Sequence, residues 1–471
     1  MKAIQLFFGL LILTAIRGAG AACQVPSRPA AGTDTPAAGV SVKVPETSPR
    51  IITLKECLSL SVVNSPSLKI ARLDQARLRY NLKATTGAGL PQVRFSGSYD
   101  DYLHLPTQMI PNIFSSPPNP SEMIPVQFGT SFNISGALEA SQLLYDQSWL
   151  VGMTMARQMM QQNDLVTEKT RIEVVFDVAQ SYYLAQITRQ QLRNMQSNLE
   201  KIGKAEKIAA SQYENGIIKK IDLDRIAVQK NNMITEIERL QVIYLQNLAM
   251  LKYFMGLGQE ENIAMVDSVS TAFVTPGNES DLVSHIDIRL IGMQKQLTGT
   301  AITMDQALYY PTLSLIGSTG YMNQSNTMYL AGKPTDWFNT SLVGIRLSIP
   351  VFSGMQKHYK VAQARIELDK LKVSEADTRA LIRINSEDAS RKLLNSVEAE
   401  KRQRENMLLA ERVYNISQEQ YQKGMIPLTD LLNTETALSD AQTNHIYALV
   451  QMKLSELNYL KSNGKLLNIM E

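Results

Sequence analysis

Gln212-Tyr213-Glu214-Asn215-Gly216-Ile217-Ile218 and Gln420-Tyr421-Gln422-Lys423-Gly424-Met425-Ile426 are variants of one phrase, 208 positions apart. The first copy closes a long helical stretch. From about Gln147 to Tyr213 there is no proline, and the only glycines are Gly152 and Gly203. Leu192, Met195, Leu199, Ile202 and Ala209 step by 3, 4, 3 and 7, the seam spacing of packed helices. A helix of that length reaches on the order of 100 Å. Asn215 and Gly216 suit a left-handed cap. A return helix then carries Ile226, Met233, Ile237, Leu240, Tyr244, Leu248 and Leu251 at similar spacing, and Gly256-Leu257-Gly258 closes it. The pair forms a helical hairpin too long for a compact domain.

Working outward, the residues before the hairpin change period. In Val93-Arg94-Phe95-Ser96-Gly97-Ser98-Tyr99 apolar and polar side chains largely alternate, as a two-faced strand requires. A loop rich in proline and asparagine, Leu105 to Pro125, is expected next. Alternation resumes with Phe128, Thr130, Phe132, Ile134, Gly136 and Leu138 against Gln127, Gly129, Ser131, Asn133, Ser135 and Glu139. Upstream of both strands, Thr53-Leu54-Lys55-Glu56 reads as a capping box, and Asn64-Ser65-Pro66 restarts a helix that ends near Thr86.

The whole programme then recurs. Leu90-Pro91 through Gly97 returns as Tyr310-Pro311 through Gly317, and Ser141–Asp146 answers to Ser348–Ser353. Val343, Ile345, Leu347 and Ile349 alternate with Gly344, Arg346 and Ser348 to give a fourth strand. The copies differ mainly in the strand–strand loop, where an indel is tolerated. The expected organisation is residues 51–268 as one repeat and 269–471 as the second, each helix, two strands and long helical hairpin.

The chain has 471 residues and a net charge of +3, from 47 basic and 44 acidic side chains. That balance argues against nucleic acid. Four histidines and two cysteines, scattered, provide no zinc, haem or iron–sulfur motif, and no metal or other cofactor is expected. Phosphate loops and hydrolase elbows are also absent, so the chain does not read as an enzyme. No apolar run is long enough for a membrane-spanning helix. Residues 1–22 read as a secretory signal peptide: Met1-Lys2, an apolar stretch from Ile4 to Ile16, then Gly18 to Ala22. Cys23 follows the cleavage zone and is a candidate lipidation site; the alternative is a plain tail residue. Residues 23–50, with five prolines, read as an extended linker. Cys57 is expected to be a small core hydrophobe, and a Cys23–Cys57 disulfide is conceivable.

Four amphipathic strands cannot close a barrel alone, because an open sheet edge in lipid leaves backbone groups unpaired. The chain is expected to oligomerise, and three copies give twelve strands. Charge runs on the long helices, such as Glu398–Glu405, carry both signs and read mostly as a solvated face. Trp337 and Tyr321 lie near strand ends, where aromatic side chains anchor a barrel; the alternative is a loop aromatic packed on its own backbone.

Taken in order, the sequence resembles the TolC-type outer membrane efflux proteins across essentially all of the exported chain. The resemblance is carried by Leu54-Lys55-Glu56-Cys57-Leu58, Asn64-Ser65-Pro66-Ser67-Leu68, the Leu90-Pro91 and Tyr310-Pro311 junctions, Ile349-Pro350-Val351-Phe352-Ser353-Gly354 and the paired Gln-Tyr-x-x-Gly turns. It implies a mainly α chain with a small β part. The assembly would be a homotrimeric channel-tunnel, with a twelve-stranded transmembrane β-barrel in outer-membrane lipid and a long α-helical barrel reaching into the periplasm. A periplasmic adaptor and an inner-membrane transporter would be its partners, and the tube would pass small molecules outward. Gly216, Ile217, Gly424 and Met425 fall on the tip turns that engage the adaptor. Asp430 falls on an aspartate of the periplasmic aperture; the alternative is an ordinary helix-start aspartate. The second aperture aspartate falls on Asn433. Tyr421 falls on a gate tyrosine, whereas the gate arginine position holds Ile426, and Asp222 is the first-copy counterpart of Asp430. A protein-secretion duct is an alternative in the same class, and a soluble periplasmic coiled-coil scaffold is one in another class.

Overall fold

The structure is a computed structural model and describes residues 50–113, 119–265, 273–275, 284–327 and 337–470. The expected signal peptide, Cys23 and nearly all of the expected linker lie outside the described residues. Described elements run β1 (Arg50–Ile52), α1 (Leu54–Asn64), α2 (Pro66–Gly87), β2 (Gln92–Asp101), β3 (Thr107–Asn112), β4 (Asn119–Gln127) and β5 (Phe132–Asp146). Then come α3 (Gln147–Glu214), α4 (Lys220–Met255), β6 (Ile263–Met265), α5 (Ile286–Ala307), β7 (Thr312–Ser325), β8 (Trp337–Ser348), α6 (Gln356–Gln422) and α7 (Leu428–Ser462), with a short 3-10 turn at Leu466–Met470.

The main sheet has the order β2-β5-β7-β8, antiparallel throughout. Its register gathers the alternating side chains. Phe95 stands opposite Leu138, Tyr99 opposite Ile134, Leu315 opposite Ile345 and Leu313 opposite Leu347, so one face is predominantly apolar, with Thr319 and Ser341 hydrogen-bonded to each other at 2.9 Å within it. The Phe95 ring lies over Gly97 and Gly136, covering backbone that has no side chain of its own. Arg94, Ser96, Ser98, Ser135, Glu139, Ser318 and Arg346 take the other face, where Arg94 pairs with Glu139 at 2.5 Å and the Ser98 and Ser135 hydroxyls meet at 2.9 Å. Trp337 and Tyr321 both lie on the apolar face, towards the end of the sheet distant from the long helices.

The junctions from sheet to helix are tightly specified. The Asp146 carboxylate accepts from the backbone N–H of Ser148 at 2.7 Å and of Trp149 at 3.2 Å, capping α3 where β5 ends. The Trp149 indole donates to the Thr85 carbonyl at 2.8 Å and occupies the space a Cβ on Gly89 would need. The 68-residue α3 and the 67-residue α6 are each of order 100 Å long. α4 folds back along α3 and α7 along α6, while α2 and α5 flank α3 nearer the sheet.

The apolar seams behave as the spacing predicts. Ile226, Met233, Ile237, Leu240, Leu248 and Leu251 of α4 are buried, as are Ile202 and Ala209 of α3, while Leu192, Met195 and Leu199 of α3 and Tyr244 of α4 are half-buried. Thr53 and Glu56 form the expected capping box. Cys57 is a free, fully buried thiol whose pKa burial pushes up to about 12, as suits a core hydrophobe.

Several expectations are corrected. The stretch read as a loop from Leu105 to Pro125 contains the antiparallel pair β3–β4. The strand prolines, Pro111, Pro120 and Pro125, are tolerated because both strands are edges and a missing N–H breaks no central ladder. Arg50–Ile52, placed in or beside the linker, forms a parallel pair with Ile263–Met265, three residues each and too short for periodicity to reveal. β5 starts at Phe132 rather than Phe128, because Gly129 turns the chain at φ 110°. At the first tip only Gly216 is left-handed; Asn215 has φ −84°. Glu400, inside the run read as solvated, is buried and lies 3.1 Å from His445 on the neighbouring helix.

Candidate functional site

The ends of the two long hairpins form the candidate site. Each turn closes in the same way. The Gly216 N–H donates to the Tyr213 carbonyl at 2.9 Å and the Ile217 N–H to the Gln212 carbonyl at 2.8 Å. In the second hairpin, Gly424 donates to Tyr421 at 3.0 Å and Met425 to Gln420 at 2.9 Å. This is the paired-bond cap that ends a helix on a left-handed residue, and the glycines adopt φ 74° and 71°. A Cβ at either glycine would meet no neighbouring atom within 4 Å in the single chain. The cap leaves Ile217 and Met425 each 70% exposed at the turns, an apolar pair where a turn ordinarily carries polar residues.

Behind the turns the hairpins meet through an apolar cluster that includes Ile202, Ala209, Ile226, Met233, Leu428, Leu431 and Leu438. Polar contacts are set into it. The buried Tyr421 phenol donates to Gln212 Oε1 at 3.0 Å, joining α6 to α3. Burial, reinforced by the Asp222 charge, holds this phenol above its ordinary pKa, so it stays a neutral donor. Asn198 donates to Gln442 Oε1 at 2.8 Å, joining α3 to α7. Gln229 of α4 donates to the buried Glu435 of α7 at 3.1 Å.

Asp430 and Asn433 are exposed, one turn apart on one side of the start of α7. Asp222 pairs with Arg225 at 3.3 Å within α4. Ile426 is half-buried and packs against the cluster. Within one chain the structure therefore brings Tyr421 into the joint and leaves Asp430 and Asn433 at the surface. Sequence reasoning missed Gln229, Asn198 and Glu435. The signal for Glu435 was present: Leu428, Leu431, Glu435 and Leu438 step by 3, 4 and 3, which puts a carboxylate on a seam position. Among the described residues no cluster of side chains could hold a metal ion, and no helix is long and apolar enough to cross a membrane.

This architecture is shared with known channels. The CmeC outer membrane channel of Campylobacter jejuni matches with a TM-score of 0.69 at 15% identity, over 92% of this chain and 94% of that one. VceC, an outer membrane protein of Vibrio cholerae, gives 0.65 at 13% over 87% and 96%. The MtrE outer membrane channel of Neisseria gonorrhoeae, in its open state, gives 0.64 at 14% over 87% and 88%. These identities speak for the fold alone. The sequence match is to a family model, Outer membrane efflux protein, over residues 57–256 and 282–464. The chain belongs to the outer membrane efflux protein family. No curated protein matches the sequence. The family is one of efflux channels rather than of enzymes.

Proposed function

We propose that three copies of this efflux protein form the outer-membrane exit channel of a tripartite system, passing small molecules from an inner-membrane transporter to the exterior. The observation that carries this reading is the sheet: mostly apolar on one face, more polar on the other, with β2 and β8 left as open edges. Ten extended residues in β2 span roughly 34 Å. Tilted as barrel strands are, that matches the ~25 Å apolar band of an outer-membrane barrel. Edge β2 of one chain would pair with edge β8 of the next, and twelve strands close the ring. The helices continuing from β5 and β8 would then form the periplasmic tube, built from the repeats 51–268 and 269–471.

The exposed Ile217 and Met425, with Gly216 and Gly424 shaping the turns, would be presented to a periplasmic adaptor. Ile217→Asp with Met425→Asp is expected to abolish adaptor capture while leaving the trimer's thermal midpoint unchanged. Co-purification with the adaptor and a melting curve check both halves.

Asp430 of each chain would line the aperture beside Asn433. Carboxylates facing one another raise each other's pKa and favour a bound cation. The test is single-channel conductance of the full-length protein in planar bilayers. Discrete pores blocked by cations from one side, with the block relieved by Asp430→Ala, are the expected result. Properly folded protein that makes no pores would sink the channel. Tyr421→Phe removes the bond to Gln212 and about 1 kcal/mol of joint stability. A higher open probability is expected; an unchanged one would discard Tyr421 as a gate contact.

A further inference from the structure

We propose that Glu435 is a proton-operated latch between the α3–α4 and α6–α7 hairpins, holding their tip-proximal ends together when neutral and loosening them when ionised. The inference rests on the channel reading for its consequence, but not for its geometry. Glu435 is 1% exposed and sits on the seam of α7 between Leu431 and Leu438. One carboxyl oxygen accepts from Gln229 of α4, and the other is buried without any partner. A neutral acid leaves one hydroxyl without a partner there, a smaller cost than a buried charge. A carboxylate leaves a charged acceptor stranded among apolar side chains.

The surroundings supply little compensation. From α3 comes Lys201, whose ammonium lies 5.3 Å from the centre of the Tyr414 ring. From α6 comes Tyr414 itself, 1% exposed, with its phenol raised to about 12 and so neutral throughout. From α4 comes the amide of Gln229, whose neighbour Lys230 is already paired with Glu206 of α3 at 2.7 Å. From α7 itself comes Asp440, a further negative charge. Burial is the main cause that raises the Glu435 carboxyl to about 7. Asp440 adds to it, while Gln229 and then Lys201 oppose it.

Gln229 and Lys201 belong to one hairpin and Glu435 to the other, so the energetic effect of the proton falls on the joint. Two further hydrogen bonds across it, Tyr421–Gln212 and Asn198–Gln442, are between neutral groups that can exchange their bonds with water. The sign follows from the raised pKa. The joined arrangement binds the proton more tightly than a solvated carboxyl does. Its advantage is full below the ordinary value of 4.5 and is lost as pH rises through about 7.

The experiment is single-channel recording of the full-length protein from about pH 5.5 to about pH 8.5, together with pulsed distance measurement between nitroxides on Ile217→Cys and Met425→Cys. Open probability and label separation are expected to rise together as pH passes through about 7. Glu435→Gln, neutral and nearly isosteric, should stay in the low-pH condition throughout. Lys201→Met should move the transition to higher pH. Asp430→Ala should leave the transition in label distance in place even where it alters conduction, separating the latch from the aperture. A Glu435→Gln profile that follows the unmodified protein would overturn the latch, and so would label distances indifferent to pH. Protein that makes no pores yet shows the Glu435-dependent change in distance would retain the latch and discard the channel.

Discussion

Arginine at Val343 is expected to prevent stable insertion, while arginine at the adjacent Leu342 is tolerated. Both positions lie in the middle of β8 and both are exposed in the single chain, 81% and 54%. They differ only in face. Val343 stands opposite Gly317, in the cross-strand row that also holds Ala140 and Val93 of the apolar face, whereas Leu342 stands opposite Ser318 on the polar one. A guanidinium near the bilayer midplane on the lipid side costs ~2–4 kcal/mol, and the proposed trimer would meet that cost three times. On the water side the arginine stays solvated and should alter conductance only. Extraction from outer membranes and heat-resistant trimer on gels check the pair. Equal tolerance at both positions would reverse or abolish the lipid assignment of the sheet.

The second large effect concerns Gly256, and the three hairpin-end glycines separate it from a general glycine effect. Gly216, Gly424 and Gly256 all adopt positive φ. A Cβ at either tip glycine meets open space, so alanine there pays only the left-handed penalty of about 1–2 kcal/mol. At Gly256 a Cβ would overlap the Asn64 carbonyl and come within 2.7 Å of its carbon, both backbone atoms at the end of α1. Backbone cannot swing aside as a side-chain tip can, so Gly256→Ala is expected to cost on the order of 3 kcal/mol. Loss of assembled trimer for this variant, with near-normal yields for Gly216→Ala and Gly424→Ala, is the anticipated outcome. Similar yields for all three would mean that α1 can shift away.

What the sequence made legible follows from length and repetition. The helical seams run for many turns, so burial at Ile226, Met233 and Leu240 could be read from spacing. The strand faces followed from alternation in Val93–Tyr99 and Val343–Ile349. The three-residue strands β1 and β6 could not be read, because their pairing depends on two segments over 200 positions apart. The β3–β4 hairpin was hidden behind its prolines. At the site, Gly216 and Gly424 announced themselves through duplication. Glu435 carries no such duplication, since its first-copy surroundings offer no matching phrase. A charged residue breaking an apolar stripe is a local anomaly with no motif attached.

The open edges of the sheet also have a genetic consequence. If β2 must find β8 on a neighbouring chain, a cell holding two versions of this protein builds rings from a shared pool. One copy with a damaged β8 would leave a gap that its two sound companions cannot close. Such an allele would be dominant over an intact one, and its severity would depend on the ratio of the two chains rather than on the amount of either. A chain that has lost both strands could not enter the ring and would behave as recessive.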